Sequence, residues 1–277
     1  MIPAGPALPT AVVVGRGRLG NALGEALPAA GAQVELLPGR DVARRPELAA
    51  EALGRAGDGA VLLLAVRDDA VVALAELLAG ALRAVPRSAA VLHHSGALGL
   101  EALAPLSRRG LGIGSCHPLQ TFTGSGDDAG RFRGAAFAVD GDGEGRRAAE
   151  ALALSLGGRP LSVPRGGRVL YHLAASLSAN GLTALVAAGR DALVAAGLDG
   201  ETALAALAPL LRSALEEAVA RGPEAALTGP AARGDEATLA RHRAALLAWD
   251  GARAALFEAL LREQRRLAAR EGPRTGC

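Results

Sequence analysis

The stretch VVVGRGRLGNALGEAL, residues 12–27, runs from a β-branched triplet through a glycine-rich turn into an amphipathic helix, and its reading decides the fold. Gly15, Gly17 and Gly20 stand in the spacing GxGxxG. In a chain with 37 glycines that spacing alone carries little weight, and the strand before it and helix after it supply the context. Gly15 permits the tight turn, Gly17 lets backbone approach a pyrophosphate, and Gly20 allows the helix to close on the strand. The helix N-terminus offers amide donors to the same group. Arg16, Arg18 and Leu19 belong to this loop and are expected to line the dinucleotide with the glycines.

Working outward, short apolar runs alternate with helical stretches through the first half. Strands are expected at 11–14, 33–37, 60–66, 89–93, 111–115, 135–139 and 159–163, with helices such as 19–30 and 69–85 between them. Runs apolar on both faces imply a sheet covered by helices on both sides. From residue 169 the pattern is helical: 169–196, 201–221, and 236 onward with a break at Asp250-Gly251. The fold class expected is α/β, a Rossmann-type doubly wound parallel sheet over residues 1–165 followed by an all-α C-terminal domain over 166–277. The GSGDDAG stretch, 124–130, reads as a solvent loop.

The end of the second strand decides the cofactor. An acid there would accept from ribose hydroxyls, but VELLPGRD places Glu35 inside the strand and Arg40 after the turn. A guanidinium at that place suits a 2′-phosphate, which points to NADP, used as NADPH. Ala65, Val66 and Arg67 close the next strand and should flank the cofactor, with Asp68 capping the following helix.

Two polar segments sit near later strand ends. AAVLHHSGAL brings His93, His94, Ser95 and Gly96, and GIGSCHPLQTF brings Cys116 and His117. His94 is expected beside the cofactor. On the helical stretch YHLAASLSANGLTAL, His172, Ser176 and Asn180 fall at i, i+4 and i+8, one polar face on an apolar helix, and such groups need partners or a cleft. In LTGPAARGD, Asp235 can cap a helix, while Arg233 either fixes the loop or holds a substrate carboxylate.

Composition bounds the rest. All 30 basic residues are arginine, so lysine cannot deliver a proton, and the net charge of +2 is scattered, which argues against nucleic acid as a partner. Two cysteines form no disulfide framework, and neither a secretory leader nor a bilayer-spanning run is read, so a cytoplasmic, membrane-free location is expected.

Taken together, the glycine motif, LLLAVRDDAV, HHSGAL, CHPLQTF, the YHLAASLSANGLTAL helix and LTGPAARGD resemble the Rossmann-like proteins that carry the domain of unknown function 2520, along nearly the whole chain. That family is similar, at a distance, to pyrroline-5-carboxylate reductase, ketopantoate reductase and the β-hydroxyacid dehydrogenases. The resemblance implies NADPH-dependent reduction of a small keto or imino acid, ketopantoate first, and a homodimer through the helical domain. The distant dehydrogenases pair a Lys and an Asn one turn apart, where this chain has Ser176 and Asn180. The proton then falls to His117 or His172 as general acid, with Ser95 and Asn180 orienting the carbonyl and Arg233 binding the carboxylate. Two rivals predict different behaviour: a sensor that binds NADP without turnover, and a dehydratase or epimerase that returns the cofactor unchanged.

Overall fold

The computed structural model describes residues 10–82, 89–164 and 166–271. Its strands are β1 (Thr10–Val14), β2 (Gln33–Leu37), β3 (Val61–Leu64), β4 (Ala90–His93), β5 (Gly112–Pro118), β6 (Ala136–Gly141) and β7 (Arg159–Ser162). They form one sheet in the order β2-β1-β3-β4-β5-β6-β7. The helices that accompany it are α1 (Arg18–Ala29), α2 (Gly39–Arg44), α3 (Glu47–Ala56), α4 (Asp68–Ala81), α5 (Ala104–Ser107) and α6 (Gly143–Ser155). The expected helix 69–85 begins one residue earlier, and its last residues, 83–85, lie outside the described residues.

Alternation along the strands builds two cores. Val13, Leu63 and Leu92 face one way, onto α1 and α6 through Leu23, Leu27 and Leu152. Val12, Leu62, Leu64 and Val91 face the other, onto α3 and α4 through Leu53, Leu74 and Leu78. That is the doubly wound arrangement expected of strands apolar on both faces.

Two expectations change. The sheet is parallel from β2 to β5, but β6 runs antiparallel to β5, with His117 opposite Ala138, and β7 is parallel to β6. Between β5 and β6 the chain makes only a 3₁₀ turn, Asp128–Phe132, with no α-helix of the kind that usually carries a parallel crossover. The segment 124–130 is also more than a solvent loop. Asp128 is buried, and its carboxylate accepts the amides of Thr123 (3.1 Å) and Gly124 (2.6 Å) and the Thr123 hydroxyl, with Arg131 at 3.0 Å. Burial pushes this carboxyl up, but those hydrogen bonds and Arg131 together hold it below the usual carboxylate range. Asp128→Ala is expected to release the segment, seen as faster amide exchange at Thr123 and Gly124 with the sheet amides unchanged.

The remaining helices are α7 (Arg168–Ser176), α8 (Leu182–Ala195), α9 (Gly200–Arg221), α10 (Pro223–Ala226), α11 (Pro230–Arg233), α12 (Glu236–Trp249) and α13 (Gly251–Glu271). A π turn, Leu177–Gly181, joins α7 to α8, and the break at Asp250 falls where glycine follows aspartate. Asp235 caps α12 by accepting the Thr238 amide at 3.0 Å. The chain divides into two compact units, through Asn180 and from Gly181 onward. The pattern changes at residue 165, but α7 packs with the sheet unit. By length and composition Arg168–Ala195 is apolar enough to cross a membrane, contrary to expectation, because its charges, Arg168, Arg190 and Asp191, stand only at the ends.

Candidate active site

The glycine loop is built by close backbone packing. Gly15 has φ +124, its amide donates to the Leu37 carbonyl at 2.8 Å, and a Cβ there would stand 2.2 Å from the Ala65 carbonyl oxygen. A Cβ on Gly20 would stand 1.9 Å from the Gly15 carbonyl oxygen. Gly17 is exposed, with nothing within 4 Å of its Cβ position. It begins α1 without a side-chain cap and with no acid in the first turn, so the first-turn amides remain open to an anion. Arg16 and Arg18 are exposed on either side, while Leu19 packs onto the core.

At the end of β2, Glu35 lies within the strand and is engaged by Arg55 at 2.7 Å. Pro38, Gly39 and Arg40 follow, with Asp41 in the first turn of α2. The Cβ position of Gly39 is 3.7 Å from the Gly15 Cα and 3.2 Å from Val66, which brings exposed Arg40 to the glycine-loop edge. Ala65 donates its amide to Val14 at 2.9 Å, and Arg67 is tied to Asp69.

The histidines gather where β4 and β5 run side by side. β5 continues to Pro118, so His117 lies inside a strand rather than beyond its end. His93 Nε2 meets the Gly99 carbonyl at 3.2 Å, and its Nδ1 accepts the Ser95 amide at 3.2 Å. His94 Nδ1 donates to the Cys116 carbonyl, leaving Nε2 buried without a partner among the described residues. Burial, with the charge of Arg168 behind it, lowers His93 to about 3, and burial lowers His94 to about 4. His117 is lowered to about 4 by burial and by His172, His94 and Arg168. Burial pushes the Cys116 thiol up, and it donates to the Ala149 carbonyl at 3.5 Å, so it is no nucleophile.

A cavity of about 390 Å³ brings His117, His172, Ser176 and Asn180 together, with Gln120, Thr121 and Tyr171 on its wall. The His117 and His172 rings meet edge to face at 5.9 Å, and Asn180 reaches Ser176 at 3.4 Å. Gly96 makes room for both rings: its Cβ would be 2.6 Å from His172 Nδ1 and 2.9 Å from His117 Nε2. The Ser95 hydroxyl is otherwise occupied. It donates to Asp68 at 2.6 Å and accepts the amides of Ala97 and Leu98, and Asp68 therefore partners Ser95 where a helix cap was expected. Arg233 is exposed on α11, in the second compact unit.

Three participants escape a sequence reading. Arg168 is buried, donating to the Ser95 carbonyl at 3.1 Å with Asp140 at 3.9 Å, and burial lowers its pKa against the pull of Asp140. Its one local signal is a charge opening an apolar helix. Tyr171 is the chain's single tyrosine, and its place beside His172 could have marked it; Gln120 carries no such mark. Among the described residues, no group of three or more His, Cys, Asp or Glu is placed to hold a metal ion.

Comparison with known proteins agrees with this architecture. Residues 6–118 match the model of a Rossmann-like domain, and residues 135–264 match that of the domain of unknown function 2520. No curated protein sequence matches the chain. Among solved structures, protein TM1727 from Thermotoga maritima is 22% identical over 95% of this chain and 100% of its own, with a TM-score of 0.69. A candidate NADP oxidoreductase from Bacteroides fragilis is 24% identical, covering 93% and 98%, at 0.68. Plasmodium falciparum pyrroline carboxylate reductase with NADP bound is 12% identical, covering 95% and 100%, at 0.59. At these identities the likeness establishes a shared fold.

Proposed function

We propose that this chain, which belongs to the Rossmann-like proteins with a C-terminal domain of unknown function 2520, is an NADPH-dependent reductase of a small imino or keto acid. The observation that carries the reading is the open Gly17 over an uncapped α1, with Arg40 at the same edge. The first-turn amides would hold the pyrophosphate and Arg40 the 2′-phosphate, and the bound cofactor supplies hydride. Toward the substrate, His172 is placed to exchange a proton, while Ser176 and Asn180 orient the reacting group. His117, neutral at working pH, is a hydrogen-bonding group rather than the acid.

Pyrroline carboxylate reductase is named among the similar structures, so imino acids lead and ketopantoate follows. A homodimer through the helical region accounts for the 68%, 69% and 65% exposure of Val169, Leu170 and Leu177, side chains that water penalises. Arg233 then binds a substrate carboxylate, and the location is cytoplasmic.

The test is a screen of the purified protein with NADPH against small imino and keto acids, pyrroline-5-carboxylate and ketopantoate included, following nicotinamide absorbance. Substrate-dependent oxidation is expected. Arg40→Ala should weaken NADPH by about 1.5–3 kcal/mol, roughly 10- to 150-fold, and leave NADH untouched. Binding without oxidation across the panel would favour a sensor instead.

A further inference from the structure

We infer that Tyr171 is a positioning residue that holds His117 as its Nδ1–H tautomer, leaving His117 Nε2 as a hydrogen-bond acceptor in the gap beside Gly96 and His172. The inference deepens the reductase reading and rests on it for its catalytic meaning. The tautomer itself does not depend on that reading.

Hydrogen-bond accounting leads to it. Tyr171 Oη lies 2.9 Å from His117 Nδ1 and 3.3 Å from the His117 main-chain carbonyl oxygen. A carbonyl oxygen only accepts, so the hydroxyl gives its one proton there, and the ring must then donate from Nδ1. The reverse assignment would set two oxygen lone pairs against each other at 3.3 Å. Ala138, the residue paired with His117 across β5 and β6, has its main chain close enough to the hydroxyl to pull its pKa down against the effect of burial. Burial raises Tyr171 to about 12 and lowers His117 to about 4, so the hydroxyl keeps its proton and the ring carries only one. His94 shows the same state independently, since its Nδ1 faces a carbonyl and its Nε2 is left with a lone pair.

The chemical consequence concerns the substrate. An accepting Nε2 opposes a ketone oxygen, which brings only lone pairs, and welcomes a protonated imine, whose N–H supplies both the hydrogen and a positive charge. With NADPH bound, a hydride delivered to the iminium carbon would move the C=N pair onto nitrogen and leave a neutral amine and NADP⁺. The charges balance, and that step draws no proton from the protein. His172 is left free to exchange protons with the departing amine.

The experiment is ¹⁵N NMR of the full-length protein with labelled histidine, its His117 signals assigned by their loss in His117→Gln. His117 Nε2 is expected at the unprotonated position at pH 7, and Tyr171→Phe should move it toward a mixture of tautomers. A wild-type spectrum with the proton on Nε2 overturns the inference without any variant, as does an unchanged tautomer in a folded Tyr171→Phe. In the substrate screen, a cyclic imine should be turned over at least tenfold faster than the keto acid of equal size, and a preference for the keto acid overturns the substrate consequence. Absence of all NADPH oxidation would instead strike the reductase reading and leave the tautomer result standing.

Discussion

Lowering the pH from 7 to 4 is expected to remove about 3 kcal/mol of stability for each of His93 and His94. Both are buried and held neutral, His93 at about 3 and His94 at about 4, against an ordinary value near 6.5. Below about 6.5 the unfolded chain takes up protons that the folded chain refuses, so stability falls as pH falls. The loss accumulates until the folded-state values are reached and then levels. A fall of 2.5 pH units at about 1.4 kcal/mol each gives the figure, and two such rings approach the whole stability of an ordinary domain. Urea midpoints at pH 7.5, 6 and 4.5 measure it. His94→Asn should flatten the dependence, and identical midpoints at the three pH values would show that the rings are not held neutral.

The second large effect separates two glycines of one motif. Gly20→Ala places a Cβ 1.9 Å from the Gly15 carbonyl oxygen, backbone against backbone, and is expected to cost several kcal/mol because no flexible side chain can yield. Gly17→Ala meets no atom within 4 Å and has ordinary backbone angles, φ −74 and ψ −175, so it should fold and melt as the parent does. Its methyl group would stand where a pyrophosphate must approach, and NADPH affinity should fall at least tenfold, about 1.4 kcal/mol. Thermal melts with and without NADPH separate the two, since a ligand that binds only the folded state raises the melting temperature. Full NADPH protection of Gly17→Ala would remove the glycine loop from the cofactor site.

The parts of the fold legible in the sequence are those written in local order. β1, the turn and α1 follow from residues 12–27 alone, and Glu35 inside β2 with Arg40 beyond it follows from VELLPGRD. The reversal of β6 was not legible, because strand direction is set by pairing between distant segments and leaves no trace in periodicity. The extension of β5 through His117 was hidden for a related reason: Cys116 and His117 carry no turn signal to end a strand or to continue one. Spacing at i, i+4 and i+8 did bring His172, Ser176 and Asn180 to one cavity. Ser95 reads from sequence as a free hydroxyl at a strand end, and only the fold shows Asp68, 27 residues earlier in the chain, accepting its proton.

The reversal between β5 and β6 also sorts the helix macrodipoles. α1 and α4 follow parallel strands and start at the carboxyl edge of the sheet, each directing the equivalent of about half a positive charge there. α6 follows a reversed strand and starts at the opposite edge, where Asp142 accepts the amide of Ile113 at 2.9 Å and a Cβ on Gly145 would strike the Ile113 carbonyl. The positive ends are thus concentrated under the β1–β3 half of the sheet. The β4–β5 half receives no such contribution from α6; after burial, the leading charge on His93 is Arg168 and that on His117 is His172. One sheet thus turns its helix N-termini toward a phosphate-attracting edge on one side and away from it at α6, set by the direction of a single strand.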